Sequence, residues 1–167
     1  EADLLTIEAS DWEPEPSESG DPEDSLNHLL DKPVIYLYPE EETEIFVELS
    51  LKGGELTCTY PAYKGGWKVT ALPDGTLTDA KGQTYNYLYW EGEGPADYDF
   101  SRGFCIPGAD TAAFLSDTLS QLGLTRREAN EFIVYWLPLM EDNPYNLITF
   151  QGERYTDTAK LTVHPAP

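Results

Sequence analysis

The chain has 167 residues and a net charge of −21, from 31 acidic against 10 basic residues. That length suffices for one domain with a real hydrophobic core. A surface so acidic repels phosphate backbones and anionic headgroups, which excludes nucleic acid and bare membrane as expected partners. The charge is uneven. Residues 1–31 hold eleven acids, and no Lys or Arg precedes Lys32. This leader includes Glu13-Pro14-Glu15-Pro16-Ser17-Glu18, acidic Pro- and Ser-rich text that cannot bury enough apolar surface to offset the entropy of ordering. It reads as a tether, with apolar patches at Leu4-Leu5-Thr6-Ile7, Trp12 and Leu26 to Leu30 able to dock on the domain. Residues 32–167 read as a single α+β domain. No apolar run reaches the roughly 18 residues that span a bilayer, and no signal-peptide pattern is present.

The domain opens with Lys32 to Pro39, "KPVIYLYP", a short buried strand bounded by prolines. Ile45, Val47, Leu49 and Leu51 then alternate with Phe46, Glu48 and Ser50, the period of a strand with one buried face. Gly53-Gly54 turns the chain. Leu56, Cys58 and Tyr60 are expected to share a face of the next strand. Trp67, Val69 and Ala71 repeat the pattern, and Pro73-Asp74-Gly75 and Ala80-Lys81-Gly82 are turn text. Tyr85 to Trp90 follows as a strand, with Leu88 and Trp90 toward the core and Tyr85, Tyr87 and Tyr89 opposite.

After that the period changes. Asp110 can cap a helix through about Leu122, with Leu115, Leu119 and Leu122 along one side and Gly123 as its stop. Thr125-Arg126-Arg127-Glu128 is a capping box. Ala129, Phe132, Ile133, Trp136 and Met140 then recur at helical spacing until Pro138 ends or kinks the run. Strands are expected over Tyr145 to Gln151 and Lys160 to His164. The fold class is α+β: an antiparallel meander or sandwich-like sheet, with a two-helix hairpin inserted before the closing strands.

The segments "KPVIYLYP", "YLYWEG" and "LGLTRREANEFIVYWLPLMEDNPYNLITF" together resemble an uncharacterised family of secreted or surface-associated proteins of gut Firmicutes, over roughly Lys32 to Val163. The resemblance implies an extracellular or surface-anchored location and a further apolar stretch beyond Pro167. It implies no named activity.

Candidate chemistry is sparse. Tyr85, Tyr87 and Tyr89 form either a stacking surface for sugar or peptide, or strand formers covered by the helices. Glu91, Glu93, Asp97 and Asp99 form an acidic loop that suits a glycosidase-like carboxylate pair, a calcium site through Asp97 and Asp99, or plain solvation. Cys58 and Cys105 are separated widely enough that a disulfide would contribute about 4 kcal/mol; the sequence leaves open whether they meet. Cys105 with His164 is the one conceivable thiol pair, but Phe104 and Ile106 beside it suggest burial. With two cysteines and two histidines, no zinc site is expected, and no cofactor is implied. Asn143 to Asn146, "NPYN", reads as a turn with local backbone bonds, or as one end of a ligand groove. Three functions remain: an extracellular, non-catalytic module binding a glycan or protein, a hydrolase using the 91–99 loop, or a spacer domain without ligand.

Overall fold

A computed structural model describes residues 27–30, 33–95, 98–151 and 153–166. Residues 1–26, and with them most of the expected tether, lie outside that range. The strands of the first half are β1 (Asn27–Leu30), β2 (Val34–Ile35), β3 (Thr43–Leu51), β4 (Glu55–Tyr60), β5 (Trp67–Ala71), β6 (Leu77–Thr78), β7 (Thr84–Tyr85) and β8 (Leu88–Pro95). The second half holds β9 (Phe104–Pro107), α1 (Thr111–Gln121), α2 (Arg126–Trp136), β10 (Tyr145–Ile148), α3 (Glu153–Thr158) and β11 (Ala159–His164). The class is α+β, with antiparallel sheets and a helical hairpin before the closing strands, as the sequence periods predict. The short α3 was not expected.

Two sheets pack face to face. One has the order β11-β3-β5-β6-β7; in the other, β8 is flanked by β1 and β2 on one edge and β4 on the other. β1, Asn27–Leu30, lies inside the segment expected to be leader and pairs with β8. The alternating residues Ile45, Val47 and Leu49 of β3 and Trp67, Val69 and Ala71 of β5 meet Ile35, Leu37, Leu88 and Trp90 from the facing sheet in one core. Hydrophobic side chains interdigitating between two inner faces define such a sandwich. Gly92 completes the fit: a Cβ there would lie 2.6 Å from Leu51 Cδ1 and 2.9 Å from the Glu55 carbonyl oxygen. A side chain would force the strands apart.

Three local readings are corrected. "KPVIYLYP" pairs only over Val34–Ile35, although Ile35 and Leu37 are buried as expected. Leu56, Cys58 and Tyr60 do not share a face. A bulge between Leu56 and Cys58 inserts one residue, so Leu56 packs toward the core while Cys58 and Tyr60 point to solvent opposite Glu91 and Tyr89. One extra residue reverses every side chain after it. Tyr85 to Trp90 is not one strand: Tyr85 ends β7 in one sheet, and Leu88 starts β8 in the other.

The helices form a second, separate core from Leu115, Leu119 and Ala129, with Phe114, Leu124, Ile133, Met140 and Ile148 packed around it. α1 ends where expected. Gly123 takes φ 93°, its N–H donates to the Ser120 carbonyl, and the Leu124 N–H donates to the Leu119 carbonyl. That is a Schellman stop, with Leu124 closing it apolarly. Asp110 precedes α1 but its side chain makes no capping bond. The Thr125 capping box is present in both directions, with Glu128 N–H on the Thr125 hydroxyl and Thr125 N–H on the Glu128 carboxylate. "NPYN" is structural. Buried Asn146 donates to the Thr111 hydroxyl and the Met140 carbonyl and accepts from Asn143, tying β10 to α1 and to the turn that follows α2.

Candidate functional site

The face of β8 that turns away from the sandwich carries Tyr89, Glu91 and Glu93, because Leu88 and Trp90 take the inner face at 0% and 2% exposure. The three expected tyrosines part company here. Tyr85, on the other sheet, sets its hydroxyl on Asp79 at 3.1 Å and its ring 5.5 Å from Tyr60. Tyr87 meets Tyr36 edge to face at 5.6 Å. Tyr89 donates to the Glu91 carboxylate, its neighbour two residues on. Burial first, and then that carboxylate, raise the Tyr89 phenol well above its ordinary value. A ladder along one strand is therefore replaced by three separate settings. The cause is the crossing between sheets at Asn86–Tyr87.

α2 lies over part of this outer face. Tyr36 and Tyr38 point outward because Ile35 and Leu37 point in. Their hydroxyls donate to Glu131 at 2.7 Å and Glu128 at 2.8 Å. The Tyr36 phenol is raised strongly, by burial first and by the Glu131 hydrogen bond and charge second. Burial pushes the Glu128 carboxyl up, but hydrogen bonds from Thr125 and Tyr38 outweigh it and hold the group below its usual range. Between helix and sheet lies a cleft of about 50 Å³. Tyr36 and Tyr87 form its sheet wall, Phe132 and Trp136 its helix wall, and Glu128 and Glu131 belong to its lining. Val34 and Leu124 complete it.

The described acidic residues Glu91, Glu93 and Asp99 take different settings. Glu91 and Glu93 sit within strand β8 rather than in a loop, Glu93 paired with both β1 and β4 and Glu91 with Cys58 of β4. Two residues along a strand they stand roughly 7 Å apart on the backbone. Asp99 accepts the Ser101 N–H at 2.9 Å, and its own backbone is held by Gln151. Asp97 lies outside the described residues. Among the described residues, no three His, Cys, Asp or Glu side chains gather in a way that could hold a metal ion.

The possible disulfide between Cys58 and Cys105 is not formed. Cys58 on β4 and Cys105 on β9 are both free and exposed. Their strands belong to different sheets. Exposure also corrects the expected burial of Cys105, since Phe104 beside it is itself exposed.

The cleft residues escaped sequence reasoning as a group. Phe132 and Trp136 read as core of the hairpin, and Tyr36 and Tyr38 as strand filler. The available signal was the excess of apolar positions on α2 over what one helical partner can cover.

A Butyrivibrio fibrisolvens protein described as "Uncharacterized protein in bglA 3'region" is 51% identical over 65 residues, 37% of this chain. The chain spans 66% of the length of that relative. The likeness is consistent with an uncharacterised family of gut Firmicutes. No family model and no solved structure matches the chain.

Proposed function

We propose that this chain is an extracellular, non-catalytic binding module that takes a glycan on the open part of the outer face of β4 and β8. The carrying observation is Tyr60. Its ring is 64% exposed, stands edge-on to Tyr85, and lies across the strand from the Tyr89–Glu91 pair. A fixed exposed ring offers apolar area at low entropic cost, and the neighbouring phenol and carboxylate offer partners for sugar hydroxyls. Binding is favoured over hydrolysis because Glu91 already accepts from Tyr89, and Glu93 projects from the same sheet face rather than across a cleft.

The compartment rests on the acidic, Pro-rich leader and on the family resemblance. Two exposed free thiols stand against it, since secreted domains seldom keep them. Protease shaving of intact cells tests the location.

The ligand is tested on a glycan array followed by calorimetry. Tyr60→Ala should abolish capture and leave the melting temperature unchanged. A silent array, or binding that survives Tyr60→Ala, overturns the proposal.

A further inference from the structure

We propose that the cleft between α2 and the outer sheet face is a binding site for a trimethylammonium group, carried by choline as a free cation. The site is separate from the glycan face and does not depend on it.

Rings wall the cleft on two sides. Tyr36 and Tyr87 meet at 76°, and Phe132 and Trp136 at 40° with centroids 6.1 Å apart. Aromatic faces carry negative quadrupole charge and attract an alkylated cation without asking for a hydrogen bond. The lining carboxylates make the same demand. Glu128 gives one oxygen to Tyr38 and the other to the Thr125 N–H. Glu131 gives one to Tyr36 and the other to Arg127 at 3.5 Å. Every carboxylate oxygen lining the cleft thus already has a partner. A sugar or a primary ammonium, which needs acceptors of its own, would have to share oxygens that each already accept a bond.

The charge persists even so. Glu128 and Glu131 against Arg127 leave one net negative charge beside an apolar space, and Arg127 is 60% exposed, so water screens its contribution. A group that wants negative potential and apolar contact, but no directional bond, is a methylated ammonium. The size agrees. One water needs about 10–15 Å³ of such space, and the cleft offers about 50 Å³, room for a cationic head rather than for a whole large ligand. The choice of choline over phosphocholine follows from the surface: a net charge of −21 repels a ligand that carries phosphate.

The test is an NMR titration that follows the Trp136 indole N–H, with choline, phosphocholine and the uncharged isostere in which a tert-butyl group replaces trimethylammonium. Choline should saturate below about 10 mM, with the isostere and phosphocholine each about tenfold weaker or more. Glu131→Gln, which keeps the acceptor for Tyr36 but removes the charge, should weaken choline about tenfold. Trp136→Leu should do the same. Arg127→Gln should tighten binding, and Tyr60→Ala should leave it unchanged. A circular-dichroism melt accompanies each variant, and Glu131→Gln keeps the test decisive if Trp136→Leu unfolds. Absence of saturable choline binding, equal binding of the isostere, or phosphocholine as tight as choline would each overturn the assignment.

Discussion

Replacing Glu128 with alanine tests whether one carboxylate joins the helical module to the sandwich. The side chain is 8% exposed. One oxygen takes the Thr125 N–H at 2.6 Å, and the other takes the Tyr38 hydroxyl at 2.8 Å. A hydrogen bond to a charged group contributes about 1.5–3 kcal/mol when its loss leaves the partner dry. Neither donor would stay dry here, because Thr125 is exposed and Tyr38 is 51% exposed. Water replaces the lost acceptor, each bond falls to about 1 kcal/mol, and Glu128→Ala should cost about 2 kcal/mol. Tyr38→Phe should cost about half of that, and the double mutant should cost less than the sum by about 0.5–1 kcal/mol. Urea unfolding followed by circular dichroism gives all four corners of the cycle. The pH dependence has a definite sign. A carboxyl held below its ordinary value of 4.5 stabilises the fold above that value and loses the contribution as pH falls through the folded value. The gap between wild type and Glu128→Ala is therefore full at neutral pH and closes in acid. Strict additivity in the cycle, or a gap that does not narrow as the pH is lowered below the ordinary carboxyl range, would refute the clamp.

Two further outcomes follow from the same geometry. Trp90→Ala should cost roughly 3–5 kcal/mol, because a ring buried to 2% exposure between two sheets leaves a cavity that paired strands cannot close; a native-like variant of unchanged midpoint would show that Trp90 is not core. In alkali, Tyr36 and Tyr89 are raised above the ordinary 10.0 by burial and by their carboxylate partners, and Tyr155 is pushed up to about 12, by burial and then by Tyr98. Their neutral forms stabilise the fold fully below the ordinary value and lose that contribution as pH rises past it. Phenolate absorbance should therefore show a late-titrating class that merges with the others on unfolding, and an early, uniform titration of the native protein would contradict the burial.

The parts of the fold that could be read from sequence are those whose signal is local. Ile45, Val47 and Leu49, or Trp67, Val69 and Ala71, declare a buried face by alternation alone. Thr125 and Glu128 declare a helix start by satisfying each other's backbone. Alternation cannot say which sheet a residue joins. Tyr85 to Trp90 keeps a period of two through the crossing at Asn86–Tyr87, so two strands read as one. Nor does it register an inserted residue, and the bulge after Leu56 sends Cys58 and Tyr60 to solvent. The cleft is harder still, because its walls come from positions nearly a hundred residues apart. α2 nonetheless carries a hint. Ala129, Ile133 and Met140 are enough to pack on α1, and they do. Phe132 and Trp136 lie beyond that stripe, and a helix with two apolar edges needs two neighbours. The second neighbour is the tyrosine face of the sheet. The contact is made through hydroxyl–carboxylate bonds and an open space instead of close packing. A seam built that way holds two separate cores in place without merging them, and it leaves between them the space that the choline titration probes.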